Sequence, residues 1–178
     1  MLVVIGPIEV LLPFAVRDRT GGGPESYSLV LAAFGIGSAV GALAVSSLRL
    51  PRRYLTVMLL CWGAGALPMM AFGLATALWV MVVASLVVGV TDAAATVIWG
   101  TLLQRRVPAR LLGRVSSLDF FVSLALMPVS MALAGPVGER VGLPPTFVVT
   151  AVVPTALAVV ALLAWRLHRD ELAHPLDR

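Results

Sequence analysis

Apolar blocks about as long as a bilayer is thick, separated by short polar connections, run through this chain of 178 residues. A helix that crosses a membrane needs about 20 residues, and five of the six blocks reach or approach that length. The pattern predicts an all-α integral membrane protein of six transmembrane helices with a polar tail at 166–178. The predicted spans cover residues 2–16, 27–48, 54–75, 77–103, 120–137 and 143–165.

The first block is the shortest, with about 15 residues. Either its helix continues through Asp18 and Arg19, or the true N-terminus of the protein lies upstream of Met1, and we favour the second interpretation. The block does not have the pattern of a signal peptide, because it lacks a basic N-terminal region and a cleavage site of small residues.

Composition agrees with a membrane protein and excludes a soluble domain. Hydrophobic residues make up 60% of the chain and charged residues only 12%, whereas a soluble domain has about 25% charged residues. The mean hydropathy is +0.99. Cys61 is the only cysteine and lies inside an apolar block, so no disulfide can form within the chain.

The arginines predict the orientation in the membrane. Ten of the 13 basic residues lie in the connections after the second and fourth spans and in the tail. Cytoplasmic segments carry an excess of basic residues. We therefore expect a multi-pass protein of the cell membrane with both termini in the cytoplasm, contacting membrane lipids and not nucleic acid. The ten are Arg49, Arg52, Arg53, Arg105, Arg106, Arg110, Arg114, Arg166, Arg169 and Arg178; the others are Arg17, Arg19 and Arg140.

Small residues and prolines inside the spans predict how the helices meet. Gly37 and Gly41 form one GxxxG step, and Gly138 and Gly142 form another; such steps let helices approach closely in lipid. Pro68 predicts a kink, which is tolerated where neighbouring helices satisfy the freed carbonyl groups. The aromatic residues at span ends, expected in the interfacial belt, are Tyr27, Tyr54, Trp79 and Trp165.

Two carboxylates lie deep inside predicted spans: Glu9 in the first and Asp92 in the fourth. A charge at the bilayer centre costs about 2.5–3.5 kcal/mol on insertion scales and usually faces a cavity or a partner. We predict that Asp92 or Glu9 couples transport to protons or lines a substrate cavity; the alternative is a protonated carboxyl group bonded to a neighbouring helix. Each acid lies in the first helix of a triplet, as a 3+3 inverted repeat would place it. Small neighbours of Asp92, expected to leave room for a cavity, are Gly89, Ala93, Ala94 and Ala95.

The connection at 104–119 is basic and carries helix signals. Pro108 suits the first turn of a short helix, and Gly113 suits its C-terminal cap. One hypothesis is a cytoplasmic gating loop whose arginines hold one conformation of the bundle. The alternative is a solvated loop that contacts lipid phosphates. The candidate gating residues are Gln104, Arg105, Arg106, Pro108, Gly113 and Arg114.

This connection resembles the one between the tenth and eleventh helices of the major facilitator superfamily, in the branch with macrolide-efflux and enterobactin-export proteins. The matching residues are Leu103, Gln104, Val107, Pro108, Gly113, Arg114 and Val115. Leu12, Pro13, Gly35, Gly37 and Gly41 resemble the seventh and eighth helices of the same branch. The resemblance implies the second half of a twelve-helix transporter, whose substrate cavity needs a partner N-terminal half of six helices.

The chain departs from the family pattern in the connection after the second span. The family carries a Gly…Asp…Arg motif there; Gly41, Arg52 and Arg53 remain, but no Asp lies between them. Charge-relay gating through this connection is therefore in doubt.

The leading functional hypothesis is a secondary active exporter, coupled to protons, with a small amphipathic or hydrophobic substrate and no cofactor. The alternative is a non-transporting or truncated membrane subunit that needs a partner half. An intramembrane enzyme is disfavoured, because the only histidines, His168 and His174, lie in the tail and no cluster suits a metal.

Overall fold

The structure, a computed structural model, describes residues 6–48 and 53–164, and this part of the chain is helical without strands. Five helices, α2 to α6, are long and apolar enough to cross a membrane. The predicted all-α class is therefore confirmed. Helix α1 comprises a π-helical segment, Pro7–Leu11, and an α-helical one, Leu12–Thr20; the others are α2 (Pro24–Ser47), α3 (Tyr54–Leu74), α4 (Leu78–Arg106), α5 (Ala109–Val141) and α6 (Leu143–Ala164).

Helix α1 ends later than the sequence pattern predicted. It continues through Asp18 and Arg19 to Thr20, so the predicted end at Val16 is wrong. Gly21 ends it with a φ of 66°, and its N–H donates a 3.0 Å hydrogen bond to the Arg17 carbonyl. Glycine adopts this left-handed conformation without strain, which explains the stop. The start of the predicted first span and the tail lie outside the described residues.

Helix α5 begins far earlier than the predicted fifth span. Pro108 is its N-cap, and the first segment runs from Ala109 to Ala125 before a turn at Leu126 leads into Met127–Val141. Gly113 therefore lies inside a helix, and its predicted role as a C-terminal cap is wrong. A helix tolerates an interior glycine at a cost of about 1 kcal/mol relative to alanine, which a favourable start at Pro108 and apolar residues beyond it can outweigh.

The first GxxxG step is the contact between α2 and α4. A Cβ atom at Gly37 or Gly41 would lie less than 3.0 Å from a backbone carbonyl oxygen of α4, and one at Gly89 would meet α2 in the same way. The Ser85 hydroxyl donates a buried 2.7 Å hydrogen bond to the Val30 carbonyl across this interface. Small residues thus bring the two backbones together, as the sequence predicted.

The two glycines of the second GxxxG step, Gly138 and Gly142, have different structural roles. A Cβ atom at Gly138 would meet the side chain of Leu11, so this glycine lets α5 approach α1. Nearby, the Gly6 N–H donates a buried 2.9 Å hydrogen bond to the Ser130 hydroxyl oxygen. Gly142 has a φ of 93° and ends α5 instead of packing against a helix.

Pro68 interrupts α3, whose middle forms a 3₁₀-helical segment over Ala64–Met69. The hydroxyl of Thr155 in α6 lies 2.8 Å from the Gly63 carbonyl oxygen and 2.9 Å from the Ala151 carbonyl oxygen of its own helix, so its single proton is shared between the two acceptors. The hydroxyl of Thr91 in α4 lies 3.4 Å from the Gly65 carbonyl oxygen. Neighbouring helices therefore satisfy carbonyl groups at this break, which confirms the expectation for Pro68.

Two contacts show which helix ends share a face of the bundle. The Arg106 guanidinium, at the end of α4, donates a hydrogen bond to the hydroxyl of Tyr54, at the start of α3. At the opposite face, the Arg19 guanidinium donates to the Gly73 carbonyl near the end of α3. The basic connection at 104–119 therefore lies on one face and Arg19 on the other. Tyr54, at the start of α3 where the sequence placed it, is fully buried in the bundle.

Candidate functional site

Asp92 lies in the middle of α4, and its side chain is exposed. The only ion pair among the described residues joins Arg17 to Asp18, so Asp92 has no cationic partner there. Its carboxylate lies beside the indole of Trp62 in α3. The Trp62 Nε1–H is buried and makes no hydrogen bond of normal geometry within the described chain. The carboxylate and the indole are therefore neighbours that share no hydrogen bond in the described chain.

Three of the four small residues next to Asp92 are packing contacts of α4. The Gly89 position is filled by the Phe34 carbonyl of α2. Ala94 and Ala95 are buried in the bundle. These three residues therefore pack α4 against its neighbours, whereas Ala93, the fourth small residue, is only half-buried.

A pair of indoles extends from Asp92 towards the basic end of α4. The ring centroids of Trp62 and Trp99 are 6.3 Å apart, at an interplanar angle of 53°. The Trp99 Nε1–H donates a 3.3 Å hydrogen bond to Asp119 Oδ2 in α5. The structure thus joins α3, α4 and α5 through two indoles with a carboxylate at each end.

Asp119 was not among the predicted site residues, because the fifth span was drawn from residue 120. An acid one residue outside a predicted span is a signal that could have been used, since span boundaries are uncertain by several residues. The other aromatic residues of the spans have different roles. Phe72 packs edge-on against Phe147 in the core, with centroids 5.8 Å apart, whereas Phe120 is 65% exposed.

Glu9 lies apart from this group. It is exposed on the π-helical segment of α1, and that segment packs against α5. No hydrogen bond or ion pair within the described chain joins Glu9 to Asp92. The structure therefore does not bring the two predicted carboxylates into one contact network.

The candidate gating residues occupy the end of α4 and the start of α5. The Arg106 hydrogen bond to Tyr54 joins this region to α3. Gly41, which belongs to the family motif of the connection after the second span, packs against the backbone of Val90 in α4. Arg53 is the exposed N-cap of α3, and Arg52 lies outside the described residues. The other exposed members of the group are Gln104, Arg105, Pro108, Gly113 and Arg114.

The part of the chain that the structure describes holds no group of three or more His, Cys, Asp or Glu residues that could bind a metal. Asp92 is an ionisable residue in the middle of a membrane helix, a position that often marks a proton or substrate path. A helical bundle with such an isolated carboxylate is typical of membrane transporters.

The sequence model of the protein family described as the Major Facilitator Superfamily matches residues 4–177 of the chain. The chain belongs to this superfamily. It is therefore a multi-pass membrane protein of a transporter family, and the resemblance stated from the sequence is confirmed at this level. No solved structure gives a significant match.

Curated relatives of this major facilitator chain are efflux pumps. It is 31% identical over 170 residues to the multidrug efflux pump Tap of Mycolicibacterium fortuitum, covering 94% of this chain and 41% of the relative. It is 32% identical over 175 residues to the pump of the same name in Mycobacterium tuberculosis (strain ATCC 25618 / H37Rv), covering 96% of this chain and 41% of the relative. The chain thus spans about two fifths of the length of these relatives.

Proposed function

We propose that this major facilitator chain is half of a secondary active exporter that moves a small amphipathic or hydrophobic compound out of the cell. The observation that carries the proposal is Asp92, an exposed carboxylate without a cationic partner in the described chain, in the middle of a membrane helix of a transporter family. The similarity of the chain to multidrug efflux pumps supports the direction of transport, out of the cell, and the substrate class.

Proton coupling through Asp92 is part of the proposal. A carboxyl group inside the bilayer can take up and release a proton as its surroundings alternate between dry and wet. Glu9 is the second candidate for this role, because it is also exposed within an apolar helix. The Arg106–Tyr54 contact supports a gating role for the basic connection, since it would have to break if α3 and α4 separated at this face.

A 3+3 inverted repeat within a twelve-helix transporter is the architecture that we propose. In such a repeat, α1, α2 and α3 correspond to α4, α5 and α6. The contact of α1 with α5 then corresponds to the contact of α4 with α2, and the contact of α3 with α6 corresponds to itself. The structure has all three contacts, which supports the repeat. The chain covers 41% of the length of a curated relative, which supports a further unit in the complete transporter, and we propose that this unit is an N-terminal half of six helices.

The described surface also supports a partner half. The first segment of α5, Ala109–Ala125, has no buried residue, and several large apolar side chains on it are exposed. Contiguous apolar surface of this kind faces lipid or another helical unit. We propose that the protein lies in the cell membrane with the basic connection and both termini in the cytoplasm. We also propose that it belongs to the macrolide-efflux and enterobactin-export branch of the superfamily. The same surface suits the alternative, a membrane subunit that does not transport without its partner.

The test is efflux from cells that express the chain with a matching N-terminal half. The wild-type pair should lower accumulation of a cationic dye (ethidium) or a neutral dye (Nile red), and inverted vesicles should take the dye up under an imposed pH gradient. Asp92→Asn keeps the shape of the side chain and removes the titration. It should leave the amount of protein in the membrane unchanged and abolish the response to the gradient.

Glu9→Gln is the matched comparison, because it neutralises the other membrane carboxylate. If Asp92→Asn responds to the gradient like the wild type and Glu9→Gln does not, the coupling residue is Glu9. If neither dye is exported by any pair, the proposed transport function is wrong.

A further inference from the structure

A groove lies between the start of α3 and the end of α4, at the basic face of the bundle. It encloses a volume of about 230 Å³. Its walls include the fully buried Tyr54 and the exposed Arg106. The remaining side chains that line it are half-buried, and they are Leu55, Trp99, Leu102, Leu103 and Val107. The groove therefore combines a cationic group with a largely apolar lining.

The volume of the groove restricts what it can hold. Pockets that enclose a drug-sized molecule measure about 300–1,000 Å³, so this groove is too small for a whole molecule of that kind. A membrane lipid needs to place only its phosphate and the first part of one acyl chain in a groove, because the rest of the lipid stays in the bilayer. The groove therefore fits part of a lipid better than it fits an exported compound.

A contact between two helices positions the cationic group. The Arg106 guanidinium donates a hydrogen bond to the Tyr54 hydroxyl, which holds the guanidinium beside the groove. Arginine carries five N–H donors in a planar fork that matches the oxygens of a phosphate. A side chain that is already held in place loses less conformational entropy when it binds a ligand. Arg106 is thus both exposed and oriented for a phosphate group.

The charge around the groove is of one sign. Between Arg53 and Leu118 the sequence holds five arginines and one acidic residue, Asp92. Asp92 lies 14 residues before Arg106 on α4, which is about 20 Å along the helix. The screening length at a water-exposed face is about 8 Å at physiological salt, so this carboxylate does not neutralise the groove. The face attracts anions, and the anions that a membrane itself supplies are acidic phospholipids.

We propose that this groove binds one anionic phospholipid of the membrane. Its phosphate accepts hydrogen bonds from the Arg106 guanidinium, and the first part of an acyl chain packs against Leu55 and Leu102. The lipid contacts both α3 and α4 and stabilises their contact at the basic face of the bundle. The proposal goes beyond the transport function and does not depend on it, because the lipid is a component of the membrane and not the exported compound.

Native mass spectrometry of the purified chain measures lipid binding without any transport assay. The chain in a non-ionic detergent is mixed with equal amounts of dioleoyl phosphatidylglycerol and dioleoyl phosphatidylcholine, which have the same acyl chains and differ in net charge. One phosphatidylglycerol should bind per chain, with an affinity about tenfold above that of phosphatidylcholine. Equal affinities would overturn the proposal.

Substitutions of two neighbouring arginines distinguish the groove from general attraction to a basic surface. Arg106→Gln should remove most of the preference for phosphatidylglycerol. Arg105→Gln is the matched control, because Arg105 is exposed in the same turn of α4 but is not part of the described lining of the groove, and it should keep the preference. Equal losses in the two variants would overturn the groove as the site.

The hydroxyl of Tyr54 is tested as the group that orients Arg106. Tyr54→Phe keeps the buried ring and removes the hydroxyl, so the preference should fall, but by less than in Arg106→Gln. Circular dichroism checks that each variant folds. If Arg106→Gln does not fold, Arg106→Lys takes its place, because it keeps the charge and loses the planar fork, and it should lose part of the preference.

Two measurements separate a lipid from a soluble phosphate. Val107→Phe narrows the groove without changing its charge and should weaken binding of phosphatidylglycerol. Val141→Phe adds the same ring at an exposed position at the end of α5 and should not. Glycerol 3-phosphate, which has a phosphate but no acyl chain, should not displace the lipid. Displacement by glycerol 3-phosphate, or unchanged lipid binding in Val107→Phe, would overturn the lipid as the occupant.

Discussion

Replacing Gly37 by alanine should separate α2 from α4 and destabilise the bundle. The added Cβ atom would lie less than 3.0 Å from the Leu86 carbonyl oxygen, whereas ordinary contacts are 3.4–4 Å. Neither backbone can yield locally, because both are helical, so the helices must move apart. Overpacking of this kind costs about 1–3 kcal/mol. The movement would also stretch the buried Ser85–Val30 hydrogen bond of 2.7 Å.

Gly35→Ala is a matched control in the same helix, since a Cβ atom there would meet nothing within 4 Å. It changes helix propensity in the same way, which by itself favours alanine by up to about 1 kcal/mol. Thermal unfolding of the purified chain in detergent, followed by circular dichroism, measures the difference. We expect Gly37→Ala to melt roughly 5 °C below Gly35→Ala, at about 2–4 °C for each kcal/mol. Equal melting temperatures would refute the close approach of α2 and α4.

Two further predictions concern the kinked helix and the orientation in the membrane. Thr155→Val removes the hydroxyl that bonds the Gly63 carbonyl at the α3 break and should lower the free energy of unfolding by about 0.5–1.5 kcal/mol. Thr101→Val, whose hydroxyl bonds only within α4, should cost less, and equal losses would contradict the proposed role of Thr155. In a Cys61→Ser background, a cysteine at Thr76 should react with an impermeant thiol reagent in intact cells, and a cysteine at Arg110 should not. The reverse labelling would invert the proposed topology.

Sequence reasoning located the helices well but placed several of their ends wrongly. Apolar block length predicts a membrane helix because the bilayer fixes how many residues must be dehydrated. Helix ends depend on weaker local effects, so Gly21 ends α1 four residues after the predicted boundary and α5 starts at Ala109 instead of residue 120. The early start of α5 is the reason that Asp119 was not among the candidate residues.

Membrane class, helical secondary structure and the family resemblance were determined by the sequence alone. Each follows from a local property of the chain: apolar blocks, clustered arginines, and short motifs in a fixed order. Asp92 was also found this way, because a carboxylate in a long apolar block is unusual whatever surrounds it.

Only the tertiary structure decided which residues face one another. Gly89 and Gly37 belong to the same interface, Thr155 reaches the break in α3, and Trp99 contacts both Trp62 and Asp119. A sequence shows which side chains can make such contacts but not which helices become neighbours. In lipid, no hydrophobic force selects the neighbours, and close packing and hydrogen bonds between particular faces decide the arrangement.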